Sequence, residues 1–185
     1  MTLFISDISL SMSGANLVSE VSLDVQKGEV IGLLGPNGAG KTTTFNLIIG
    51  QLSPDLGDVV IDNKIVTYLP MPYRCRLGIS YLPQEPSIFR NLTVLENLDI
   101  ALSQSISSPY QRRSRKEELI NQFNLRPFID RKGYQLSGGE RRRCEVARAL
   151  SLGRNGPKYL LLDEPFAGVD PMAVADLQNL INELR

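Results

Sequence analysis

The stretch Gly35-Pro36-Asn37-Gly38-Ala39-Gly40-Lys41-Thr42-Thr43 combines residue types and spacing suited to one task, holding a phosphate. Its pattern is G-x-x-x-x-G-K-[ST], with Gly35, Gly40, Lys41 and Thr42 in the fixed places. Glycines let the backbone curl so that successive N–H groups converge on an anion. The helix that follows adds its partial positive end. Lys41 would reach the β- and γ-phosphates of a nucleotide, and the Thr42 hydroxyl would ligate Mg²⁺. A second chemical pair, Asp163-Glu164, ends the apolar run Tyr159–Leu162. Two carboxylates at the end of a buried strand suit a division of labour, Asp163 holding Mg²⁺ through water and Glu164 polarising the attacking water.

A third stretch, Leu136-Ser137-Gly138-Gly139-Glu140, has capping-box spacing between Ser137 and Glu140. Capping explains serine and glutamate but not two glycines in a first helical turn, where each costs up to ~1 kcal/mol. Glycine there points to close approach of a ligand to the backbone. Arg141, Arg142 and Arg143 follow, either as a solvated basic face or as contacts to phosphate or an acidic partner.

The elements that must position these residues follow from periodicity. Val30–Leu34 reads as a buried strand feeding the phosphate loop, and Phe45, Ile48, Ile49 and Leu52 mark the helix after it. Leu3, Ile5, Ile8 and Leu10 alternate, a turn follows at Gly14, and Val21, Leu23 and Val25 alternate again. These predict an antiparallel layer beside a parallel core. Gly78–Leu82 is another buried strand, closed by Pro83-Gln84-Glu85-Pro86 in the place where α/β proteins put chemistry. From Thr93 the chain turns helical, with a capping box to Glu96 and an exposed amphipathic helix over Arg112–Phe123. Asp170-Pro171 starts the last helix.

Composition narrows the classes. With 185 residues the chain suits one domain, 20 basic and 20 acidic side chains leave no global field for nucleic acid, and Cys75 and Cys144 lack metal spacing. No apolar run approaches bilayer length, and Met1–Asp7 lacks a basic leader.

The phosphate loop, Gln84 in its loop, the Leu136–Glu140 pentapeptide, Leu160–Glu164 and Ala167–Asp170 stand in the order and spacing of the nucleotide-binding domain of an ABC ATPase, which the whole chain resembles. More narrowly, Tyr81–Glu85, Ser87–Arg90, Gly138–Arg143 and Glu164–Pro171 are similar to the lipopolysaccharide-export ATPases of Gram-negative envelopes. The resemblance implies an α/β fold, a P-loop NTPase core with a parallel sheet, an N-terminal antiparallel β-layer and an inserted helical subdomain. Residues 1–85 and 157–185 would form the core and 86–156 the helical, signature-bearing part. It also implies ATP and Mg²⁺ as ligands, and a head-to-tail homodimer with each ATP between one phosphate loop and the partner's Ser137, Gly138 and Gly139. Asp170 would lie at that interface. Gln84 would sense Mg²⁺ and the γ-phosphate, and Pro86–Leu92 would face transmembrane subunits on the cytoplasmic side of the inner membrane. No nucleic-acid partner is expected.

Two positions depart from the family pattern. The place of the adenine-stacking aromatic falls on Met12, which packs on a ring with less directional preference. The family's switch histidine follows the last helix seen here, and the chain contains no histidine. A C-terminally truncated core with slow turnover is the resulting expectation. The competing expectations are a soluble ABC ATPase of the DNA-repair or translation-factor type, and a remnant that binds nucleotide without turnover.

Overall fold

The computed structural model describes residues 2–167, 169 and 171–182. The chain divides into two compact units, Met1–Ile79 and Ser80–Arg185.

The first unit is built on a four-stranded antiparallel sheet. Strand β1 (Thr2–Met12) pairs with β2 (Ala15–Gln26) on one side and β3 (Leu56–Ile61) on the other, and β4 (Lys64–Ile65) completes the order β2-β1-β3-β4. Ser13 and Gly14 both take positive φ, 53° and 81°, as do Asp62 and Asn63 at 48° and 64°. Two such residues make the turn whose twist matches a two-residue hairpin. Along β1 the buried positions change parity, from Leu3 and Ile5 to Ile8 and Leu10. A register shift between Ile5 and Ile8, with Asp7 at φ 49°, moves the second pair onto the core face. The predicted antiparallel layer is therefore present, and longer than the alternation alone indicates.

Helix α1 (Lys41–Ile49) buries Leu47, Ile48 and Ile49, and Gly50 closes it at φ 79°. Arg74, at the end of α2 (Met71–Arg76), lies 1% exposed against that end. Its guanidinium donates to the carbonyls of Leu47 (2.7 Å), Ile48 (2.8 Å), Leu69 (2.8 Å) and Thr67. The last carbonyls of a helix have no partner within it, and this side chain supplies two of them. A Cβ on Gly50 would stand 2.6 Å from Arg74 Nε, so the closing residue must be glycine. Burial without a carboxylate partner lowers the Arg74 pKa to about 10.

One sequence expectation fails here. Val30–Leu34 belongs to neither sheet, and Val30 and Leu34 are 62% and 92% exposed. An apolar run becomes a strand only when a neighbouring strand accepts its backbone groups. Among the described residues no strand pairs with it.

The second unit holds a two-stranded parallel sheet, β5 (Ile79–Leu82) and β6 (Tyr159–Leu162). Helices α3 (Val94–Ser105), α4 (Pro109–Gln122) and α5 (Gly138–Ala149) pack around Leu98, Leu102, Leu119, Phe123, Cys144 and Val146. Helix α6 (Pro171–Asn182) follows β6. The Thr93–Glu96 capping box forms, with both of its hydrogen bonds. Helix α4 starts three residues before the predicted Arg112, because Ser108 caps it and Pro109 fills its first position. It is also less exposed than predicted, since Arg115 is 8% exposed beside Leu119 and Ile120. No helix among the described residues is long and apolar enough to cross a membrane.

Candidate functional site

The residues selected from the sequence fall into three groups. In the first unit, the phosphate loop runs from Gly35 into α1, whose N-cap is Gly40 in the left-handed region at φ 84°. A Cβ there would lie 2.3 Å from the Leu17 carbonyl oxygen, so the loop can approach β2 this closely only with glycine. No side chain caps α1. Pro36, Asn37, Gly38 and Ala39 form the exposed turn, closed by a 3.2 Å bond from Ala39 N–H to the Pro36 carbonyl. Lys41 Nζ donates to the carbonyls of Gly35 (2.8 Å) and Pro36 (2.9 Å), so the ammonium is directed into the loop. Thr42 is exposed, and Thr43 is half-buried. Met12 stands at the end of β1 opposite Ala15, 51% exposed.

The second group lies at the ends of β5 and β6. Asp163 N–H extends the pairing to the Leu82 carbonyl at 2.9 Å, which sets the two following loops side by side. Gln84 Nε2 then donates to Glu164 Oε2 at 2.8 Å, both side chains being exposed. Asp163 is 2% exposed, and the Tyr81 hydroxyl donates to its Oδ2 at 3.1 Å. Burial first, and then the Asp163 carboxylate, push the Tyr81 pKa up, which keeps the hydroxyl a donor. Glu164 itself sits at φ 44°, where residues other than glycine are uncommon.

The third group is the start of α5. Ser137 Oγ accepts from Glu140 N–H at 3.2 Å and Glu140 Oε2 accepts from Ser137 N–H at 2.9 Å, the expected capping box. Gly138 is half-buried and Gly139 buried in the first turn. Asp170 lies outside the described residues.

Of Arg141–Arg143, read either as a solvated basic face or as contacts to phosphate or an acidic partner, Arg142 is no part of a solvated face. Arg142 is 4% exposed and donates to the carbonyls of Pro83 (3.0 Å), Asp163 (3.3 Å), Glu164 (3.0 Å) and Pro165 (2.8 Å), and to Glu145 Oε2 (3.2 Å). Sequence reasoning missed Tyr81, Arg142 and Glu145. The available signal was spacing: Arg142, Glu145 and Arg148 recur every three residues along one stripe of α5. Such stripes usually face water, which hid this one.

Thr42 in the first unit offers a hydroxyl, and Gln84 and Asp163 in the second an amide and a carboxylate, each with an oxygen of the kind a hard cation takes. Among the described residues no group of three carboxylate, thiolate or imidazole side chains could hold a metal by itself. Mg²⁺ takes one or two protein ligands and completes its shell with phosphate and water.

Comparison with known proteins places these features in a family. The model of the family described as ABC transporter matches residues 18–167. The lipopolysaccharide export system ATP-binding protein LptB of Haemophilus influenzae is 51% identical over 180 residues, 97% of this chain and 73% of that protein. The ATP-binding cassette MJ1267 of an ABC transporter superposes with a TM-score of 0.86 at 33% identity, covering 98% of this chain and 76% of the cassette. The dimeric cassette MJ0796, in a post-hydrolysis state bound to ADP and Pi, superposes with a TM-score of 0.83 at 28% identity, covering 98% and 82%.

Proposed function

The chain belongs to the ABC transporter ATP-binding family, and from that membership we propose that it hydrolyses ATP to drive lipopolysaccharide export from the inner membrane. It works as the nucleotide-binding subunit, on the cytoplasmic face, with transmembrane subunits carrying the cargo. The observation that carries the hydrolytic reading is the 2.8 Å contact between Gln84 and Glu164 at the ends of adjacent strands. It brings a carboxylate able to take a proton from water next to an amide whose loop continues into Pro86–Leu92.

The roles follow from the chemistry of each group. Lys41 exchanges the Gly35 and Pro36 carbonyls for β- and γ-phosphate oxygens, a stronger charge-assisted contact. The N–H groups of Gly38–Thr43 and the α1 N-terminus hold the same anion. Thr42, Gln84 and Asp163 would hold Mg²⁺, which when bound neutralises charge on the transferring phosphoryl group. Glu164 orients the attacking water and accepts its proton. Met12 packs on the adenine. Ser137, Gly138 and Gly139 serve the second ATP of a head-to-tail homodimer, with Asp170 at the interface. The dimeric MJ0796 cassette supports pairing of this kind. Residues 1–85 and 157–185 act as the ATP-binding core and 86–156 as the helical part that meets the membrane subunits through Pro86–Leu92. Phe89, 44% exposed beneath the Arg148 guanidinium at 4.5 Å, gives that loop an aromatic contact.

Depletion tests this reading. A cell depleted of the protein should accumulate lipopolysaccharide in its inner membrane, and the wild-type protein should restore transport while Glu164→Gln should not. Normal transport in depleted cells would contradict the lipopolysaccharide assignment.

A further inference from the structure

The Arg142–Glu145 pair bears none of the roles above, yet its side chains are only 5% and 2% exposed. A buried ion pair is a weak source of stability, because desolvation offsets the attraction. Its placement is better explained by where the remaining polar atoms go. Arg142 grips the backbone immediately before Gln84, at the Pro83 carbonyl, and the backbone through Asp163, Glu164 and Pro165. Glu145 holds Arg142 with Oε2, and with Oε1 accepts the N–H groups of Ser87 (2.8 Å) and Ile88 (3.3 Å). Two side chains one helical turn apart thus hold three loop segments together. Glu164 has the most to lose from their release, since its φ of 44° is one that side-chain-bearing residues rarely adopt and its carbonyl is held by Arg142.

We propose that Glu145 is a positioning residue for hydrolysis. It fixes Arg142, Arg142 fixes the backbone that aims Gln84 and Glu164, and the same carboxylate ties Ser87 and Ile88 to that assembly. A displacement of the 86–92 loop therefore reaches the Glu164 carboxylate through two side chains. This last step rests on the reading of that loop as the partner-facing one; the positioning of Glu164 does not.

The test uses the full-length protein carrying Glu145→Gln or Glu145→Ala. Gln keeps an oxygen for Ser87 and Ile88 but removes the charge opposite Arg142. Misplacing a catalytic group by about 1 Å costs on the order of 10- to 100-fold, so kcat should fall by that factor. KM for ATP should stay within about twofold, because the phosphate loop lies in the other unit. Amide hydrogen exchange should rise together over 83–90 and 163–167 and stay unchanged over 41–49. A parental kcat in a folded variant, a change confined to KM, or exchange that rises only at Ser87 and Ile88 would overturn the proposal. Failure of both variants to fold would assign the pair to stability alone and overturn it too. A second arm adds Phe89→Ala in the complex with the membrane subunits. If Glu145 transmits the loop's position, Phe89→Ala lowers partner-stimulated turnover in the parent and adds nothing in Glu145→Gln, whereas multiplying effects would overturn transmission. No effect of Phe89→Ala on stimulated turnover in the parent would reject the partner-facing reading of the loop, with kcat still deciding the positioning role.

Discussion

Each unit braces its candidate functional residues with a buried arginine, but the two arginines work under different electrostatic terms. Arg74 sits behind the phosphate-loop helix with four carbonyl partners and no carboxylate, and burial alone lowers its pKa to about 10. Arg142 sits behind the hydrolytic loops with four carbonyl partners and Glu145. The Arg74 arrangement can lose its charge without stranding another. The Arg142 arrangement cannot. The same contrast extends to the groups in front. The phosphate loop is exposed, opens a helix that no side chain caps, and turns on glycines. Asp163 is buried with Tyr81 donating to it, Arg142 holds the Glu164 carbonyl, and the helix that carries Arg142 opens on a full capping box. One region is shaped by backbone freedom and the other by side chains holding backbone.

Substitution of the two arginines is the strongest way to break that contrast. Arg142→Met should destabilise the protein by about 3–5 kcal/mol, because it leaves Glu145 buried and uncompensated. Arg142→Met with Glu145→Leu should recover at least half of that loss, since no charge is then stranded. Arg74→Met should cost less, about 1–3 kcal/mol, from carbonyls left without a donor. Urea denaturation of the three variants measures all of this. A larger loss at Arg74 than at Arg142 would reverse the comparison.

A smaller effect sharpens it through pH. Hydrogen bonds from Thr93 N–H and then its hydroxyl hold the Glu96 carboxyl below its ordinary 4.5. A native pKa lower than the unfolded one contributes stability above the unfolded value, and the contribution disappears as pH falls through the native value. Between pH 6 and pH 3 the wild-type protein should therefore lose more stability than Glu96→Ala. Helix α1 has no side-chain cap and no acidic residue in its first turn, so the phosphate-loop helix contributes no such term. Equal losses in the two proteins would show that the capping box adds nothing to the second unit's stability.

Legibility in the sequence followed the range of the forces involved. The glycine loop leading into α1 and the capping boxes at Thr93 and Ser137 depend on residues three to six apart, and the helix starts stand where their residues indicated. The Gln84–Glu164 contact spans 80 positions; the sequence marked each residue at the end of its own strand, and the pairing of β5 with β6 brings the two loops together. Val30–Leu34 was misread because hydrophobicity specifies burial while a strand requires a neighbour's backbone. Arg142 was hidden for the opposite reason. Its burial depends on carbonyls 59 and 21 to 23 positions away, which no local pattern announces.

The central claim is that phosphate holding and water activation reside in different units, and titration of two full-length variants in parallel tests it most directly. Lys41→Ala should weaken ATP binding roughly 10- to 100-fold, the loss of one charge-assisted contact. Glu164→Gln should bind ATP with the parent's affinity, lose turnover by about 10²-fold or more, and accumulate as an ATP-bound dimer. Unchanged affinity in Lys41→Ala, or parental turnover in Glu164→Gln, would contradict the account.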